Sequence, residues 1–129
     1  MPIRAIQLFN ATRIDDDPVS ASQSHEFRGV VPKRVTLQVK ITKTLAPTNL
    51  TLTVSVSPNR GTTTIAYDKL ITEAGVDAPV GSVVYTATGD DIVSLSREDI
   101  MNYITITITG NGTTSSAFFD VTMFLVYEY

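Results

Sequence analysis

The sequence has no cysteine, no tryptophan and one histidine in 129 residues. Without cysteine there are no thiolate nucleophiles, disulfide frameworks, Cys-ligated zinc sites or iron–sulfur clusters. A single imidazole also removes paired-histidine metal sites. Glycine and proline number 7 and 6 and are spread as turn residues, so no phosphate-cradling G-x-G-x-x-G or Walker loop forms. No stretch approaches the roughly 18 apolar residues of a membrane-spanning helix. The first residues, Met1 to Asn10, lack the apolar core of a signal peptide, so the chain reads as one made and folded in a cytoplasm.

Charge is also sparse, with 10 basic and 13 acidic residues, a formal net charge of −3 and a pI near 4.9. The cations are scattered, with Lys33–Arg34 the one tight pair. A duplex-binding surface needs clustered cations to release counterions from phosphates, so nucleic acid is not an expected partner. A mean hydropathy of +0.12 argues against disorder. The length suits a single domain, large enough to hide about two-thirds of its surface on folding.

What the chain does have is alternation. Val35, Leu37, Val39 and Ile41 alternate with Thr36, Gln38, Lys40 and Thr42. Leu50, Leu52, Val54 and Val56 alternate with Thr51, Thr53, Ser55 and Ser57, and Ile104, Ile106 and Ile108 with Thr105, Thr107 and Thr109. A period of two is the signature of half-buried strands. Threonine suits such positions, because its branched Cβ fits the pleat and its hydroxyl tolerates water. Further strands are expected at Ile3–Phe9, Glu26–Val31, Thr62–Tyr67, Ser82–Thr88, Asp91–Leu95 and Ala117–Glu128. Residues 10–24 read as irregular. Helical turns are expected near Lys69–Glu73 and at Ser96-Arg97-Glu98-Asp99, the latter led by an N-cap serine. Ser57-Pro58-Asn59-Arg60-Gly61 reads as a hairpin turn in which Gly61 supplies a positive φ. The expected fold is all-β: one antiparallel, jelly-roll-like β-sandwich of about eight strands with at most one short helical turn. Its parts are an N-terminal strand, or arm, with the irregular segment (1–24) and the sandwich proper (25–129).

The final strand points beyond the fold. Phe119, Val121, Met123, Leu125 and Tyr127 share one face, while Phe118, Asp120, Thr122, Phe124, Val126 and Glu128 share the other. The second face of a monomeric sandwich is normally polar. Either a loop or the N-terminal arm covers Phe118 and Phe124, or the face packs on a neighbouring subunit.

Chemistry finds little support. His25 with Ser22 or Ser24 and Glu26 could sketch a base, nucleophile and orienter, but no G-x-S-x-G elbow accompanies them. Asp15-Asp16-Asp17 and Asp90-Asp91 do not follow the alternating spacing of an EF-hand loop and read as turn-forming loops. Glu73, Asp77, Glu98 and Asp99 are the acids a glycosidase would draw on, in expected loops without tryptophan platforms. Sugar binding through Tyr67 or Tyr85 is the better carbohydrate reading. Sequons at Asn10, Asn49 and Asn111 read as chance occurrences in a threonine-rich chain. No catalytic residue, metal or cofactor is expected.

Two stretches, Leu50-Thr51-Leu52-Thr53-Val54-Ser55-Val56-Ser57-Pro58-Asn59-Arg60-Gly61 and Asn102-Tyr103-Ile104-Thr105-Ile106-Thr107-Ile108-Thr109-Gly110, resemble strand–hairpin segments of tailed-phage accessory virion proteins. Head decoration, or cement, proteins are the relevant group. That resemblance implies a non-enzymatic capsid decoration protein located in the virion and assembled in the host cytoplasm. Its partners would be the major capsid protein or other virion proteins, as a homo-oligomer with a trimer favoured. Ile3, Ile6 and Leu8 in the arm, with Phe118, Phe124 and Val126, are the expected contact residues. A carbohydrate-binding β-sandwich module is the alternative.

Overall fold

In the computed structural model, which describes residues 3–16, 19–27, 31–72, 80–96 and 100–129, alternation becomes two faces of each strand. Val35, Leu37, Val39 and Ile41 are buried on one side of β3 (Arg34–Thr44), and Leu50, Leu52, Val54 and Val56 on one side of β4 (Asn49–Ser57). Ile104, Ile106 and Ile108 do the same on β9 (Tyr103–Asn111). Each such side chain contributes roughly 1.5–3 kcal/mol when taken out of water. Phe119, Val121, Met123, Leu125 and Tyr127 of β10 (Phe118–Glu128) complete the core from the opposite sheet.

The pairing is nested. The first strand, β1 (Ile3–Ile14), pairs with the last, β10, and β2 (Val19–Glu26) pairs with β9. β3 pairs with β8 (Gly89–Leu95). β4 pairs with both β5 (Ile65–Ala66) and β7 (Val83–Tyr85). One long antiparallel ribbon is thus wrapped into two sheets, of order β1-β10-β3-β8-β6 and β2-β9-β4-β5, with β6 spanning Leu70–Thr72. This is a jelly-roll sandwich, as the alternation implied.

Three local expectations change. Residues 10–24 are mostly strand: β1 runs on to Ile14 and β2 begins at Val19. The period of two is hidden in β1 because the strand is bulged, its register on β10 slipping between Gln7 and Phe9 and again between Phe9 and Thr12. Ala11, at φ 45°, turns there and donates its N–H to Thr122 Oγ1 at 3.0 Å. In β2 the pattern is hidden because Ser20, Ser22 and Ser24 alternate with small Ala21 and exposed, polar Gln23. The second change concerns Lys69–Glu73. Leu70–Thr72 forms a strand against Leu95–Val93, because fully buried Leu70 plugs the core while Ile71 faces outward. Thirdly, the described residues form ten strands rather than about eight, because β5, β6 and β7 are short separate pieces. Residues 97–99 of the expected Ser96–Asp99 turn, and residues 28–30 of the expected Glu26–Val31 strand, lie outside the described residues.

Gly61 has the positive φ expected, 86°, and Arg60 shares it at 58°. The turn is organised from within by buried Ser57. Its Oγ accepts from Gly61 N–H at 2.9 Å and Asn59 N–H at 3.2 Å, and donates to Asn59 Oδ1 at 2.9 Å.

Candidate protein interfaces

The outward faces of the two sheets differ in their side chains. On β10 the outward residues are Phe118, Asp120, Thr122, Phe124, Val126 and Glu128. Register places Gln38 and then Ile92 beside Phe124, and Thr36, Ser94 and then Ile71 beside Val126. Phe124 is 38% exposed, Ile92 39% and Ile71 42%, and Ile3 at the edge is 68% exposed. Four of the exposed large apolar side chains therefore share one sheet face. A groove of about 360 Å³ runs between Phe124, Gln38, Lys40, Asp90 and Ile92. A second, of about 200 Å³, lies between Ile3, Arg34, Thr36 and Val126.

Phe118 behaves differently. It is 9% exposed, because Arg13 of β1 lays its guanidinium 4.0 Å from the ring centre while its Nε reaches Asp120 Oδ1 at 3.1 Å. The N-terminal strand therefore covers Phe118, as one of the two readings of this face has it, and leaves Phe124 open. Val126 is half-buried and lines the second groove. Ile6 and Leu8 do not stand free on an arm. They lie half-buried on β1 and pack against the core, because β1 is paired along its length with β10.

The outward face of the other sheet holds hydroxyls along β2, β9 and β4, with exposed Val84 of β7 beside Thr51. Ser20, Ser22 and Ser24 lie opposite Thr109, Thr107 and Thr105, and these in turn lie opposite Thr51, Thr53 and Ser55. Each Ser–Thr hydroxyl pair across β2 and β9 is hydrogen-bonded at 2.8 Å.

This arrangement dissolves the sketched catalytic group. Alternation turns Ser22 and Ser24 outward to threonines, whereas His25 turns toward the core edge, 5.1 Å from Phe27 and 5.3 Å from Tyr127 between ring centres. Burial lowers the His25 pKa from 6.5, with Glu26 acting weakly in the opposite sense. Glu26 itself pairs with Arg60 at 2.9 Å. Asp91 accepts from the Tyr85 hydroxyl at 2.7 Å and from Ile92 N–H at 2.9 Å. Burial, and then that bond to Asp91, push the Tyr85 hydroxyl far above its usual range. No cluster of three metal-ligating side chains occurs among the described residues. Glu73, Asp77, Glu98 and Asp99 lie outside them, as does Asp17.

Tyr67 is not an exposed sugar platform. It is 3% exposed, and its hydroxyl donates to Ser96 O at 2.6 Å, so its ring belongs to the core. Tyr85 is half-buried and engaged by Asp91.

No protein-family model and no curated protein matches this chain. Among solved structures it is similar to PirA, at 11% identity and a TM-score of 0.44, covering 98% of this chain and 93% of that one. It is also similar to a Bacillus endospore appendage, which forms disulfide-linked pili, at 10% identity and a TM-score of 0.39 over 99% and 90% of the two chains. Similarity to a chain of the infectious bursal disease virus Gx strain reaches a TM-score of 0.53 at 12% identity, over 98% of this chain. The chain spans 32% of the length of that viral chain. At such identity the shared property is the fold: the same two-sheet arrangement of strands occurs within a segment of a viral protein.

Proposed function

We propose that this chain is a non-enzymatic structural protein of a virion, a capsid decoration or cement protein that works through protein–protein contacts. The observation that carries the reading is that Phe124, Ile92, Ile71 and Ile3 all stand exposed on one face of the jelly roll. The shared fold with a viral chain supports it, as do the exposed Phe124 and Ile3, two of the contact residues expected from sequence. A subunit that binds only the assembled shell stabilises that state by mass action, by about 2.7 kcal/mol when present at 100 times its Kd. Aromatic and aliphatic anchors beside grooves are the usual centres of such contacts. On this reading Phe124 and Ile92 seat against the major capsid protein or another virion protein, and the charged groups Lys40 and Asp90 form the rim. Homo-oligomerisation would multiply the contacts made by each decorated site.

The test is sedimentation of native source material, followed by rebinding of the purified chain to stripped particles. Co-migration with megadalton, nucleic-acid-containing particles is expected, and Phe124→Asp combined with Ile92→Asp should abolish rebinding while leaving the fold intact. Recovery only as a free 14.0 kDa species would overturn the reading.

A further inference from the structure

We infer that β2 is an open sheet edge through which two copies of this chain pair, joining their hydroxyl-faced sheets into one. Phe27 N–H donates to Asn102 O at 2.7 Å, which fixes the phase of the β2–β9 ladder. In an antiparallel pair, residues alternate between turning N–H and C=O toward the neighbour and away from it. Odd-numbered β2 residues therefore bond to β9, while Ser20, Ser22 and Ser24 turn their backbone groups to the other edge. The side chains agree. Residues opposite one another without a mutual backbone bond approach most closely, at about 4.5 Å between Cα atoms. Those are the positions where Ser20, Ser22 and Ser24 meet threonine hydroxyls at 2.8 Å.

β2 stands last in its sheet, and no described strand pairs with its outer edge. Natural edges are usually blunted by proline, lysine, bulges or charge. The other lateral edge, β1, has two bulges, a positive-φ alanine, Arg4 and Arg13. By contrast β2 runs unbroken through Val19-Ser20-Ala21-Ser22-Gln23-Ser24-His25-Glu26, with a continuous register on β9 and one acid at its end. It has the form of a pairing strand.

A second copy is the occupant this edge fits. An antiparallel two-fold centred on Ser22 sets Ser20 against Ser24, so donors meet acceptors throughout and no like charges face each other. Glu26 falls beyond the paired residues, in its ion pair with Arg60. All outward positions remain serine, so the hydroxyl face continues unbroken across the joint. This interface is separate from the apolar face assigned to the shell, and it stands whether or not that assignment holds.

Ser22 gives a clean test, because its N–H serves the outer edge alone. Ser22→Pro removes that donor and puts a ring in the way without breaking a backbone bond to β9. Ser22→Ala loses the same hydroxyl but keeps the N–H. Sedimentation equilibrium of the full chain should give a species of twice the chain mass, retained by S22A and weakened roughly tenfold or more in S22P. The chain has no cysteine, so Ser22→Cys introduces a unique thiol. Facing residues about 5.5 Å apart lie within disulfide reach, and oxidation should give a covalent dimer even if S22P fails to fold. A wild-type chain monomeric at about 100 µM would overturn the inference. So would an oligomer that neither weakens in folded S22P nor cross-links through S22C.

Discussion

Arg13 and Phe118 are stacked across β1 and β10, with the guanidinium 4.0 Å from the ring centre, and Asp120 holds the arginine from the side at 3.1 Å. This contact removes one aromatic ring from an otherwise open face. A cation over a ring at a partly exposed site is worth about 0.5–1 kcal/mol, and an exposed ion pair up to about 1 kcal/mol. Since Arg13 is more than half exposed, solvent screening keeps the sum modest. Arg13→Ala is expected to lower stability by about 0.5–1.5 kcal/mol and to raise binding of a hydrophobic dye, because Phe118 becomes accessible. Urea unfolding monitored alongside dye fluorescence checks both, and an unchanged dye signal would contradict the covering role.

His25 predicts a pH dependence. Its ring packs on Phe27 and Tyr127, its Nε2 is buried without a hydrogen-bond partner, and burial lowers its pKa from 6.5. Between that lowered value and 6.5 the unfolded chain binds more protons than the folded one, so stability rises with pH across this window. The contribution of neutral His25 is complete above 6.5 and is lost as the pH falls toward the lowered value. His25→Phe removes the titration while keeping an aromatic ring. The urea midpoint of the wild type, followed from about pH 8 to about pH 5, should fall more steeply than that of H25F. Parallel profiles would show that His25 does not titrate in this window.

Gly110 lies at an inward position of β9, between Val19 of β2 and Leu50 of β4. A Cβ there would run into Ile14 Cγ2 and come within 2.8 Å of Thr113 Oγ1, the group that donates to Asp16 O. The glycine is thus required by the close passage of the chain leaving β1, not by a special φ. Gly110→Ala is expected to cost about 1–3 kcal/mol through overpacking, despite the usual preference for alanine over glycine within strands. Chemical denaturation measures it, and a loss under about 0.5 kcal/mol would show that Ile14 yields without strain.

The strands richest in information were β3, β4, β9 and β10, where the alternation of apolar and polar residues is a local property of the chain and specifies which side chains face inward. The same parity separates His25 from Ser22 and Ser24, so the failure of that catalytic sketch was already implied once β2 was recognised as a strand. The sequence conceals that strand, because serine, alanine and glutamine give little contrast between faces. The bulged β1 hid its pattern for a different reason: each added residue reverses which parity points inward.

Local alternation specifies the class of fold and the inward face of the regular strands, since a period of two requires only neighbouring residues. Which outward residues stay exposed depends on packing between distant strands. Phe118 and Phe124 occupy equivalent places on one strand, yet Arg13, more than a hundred positions away, covers the first and not the second. The same holds for the edges. Whether Ser22 turns its N–H to a neighbour or to open solvent depends on the pairing of β2 with β9, a contact between distant segments that local alternation does not encode.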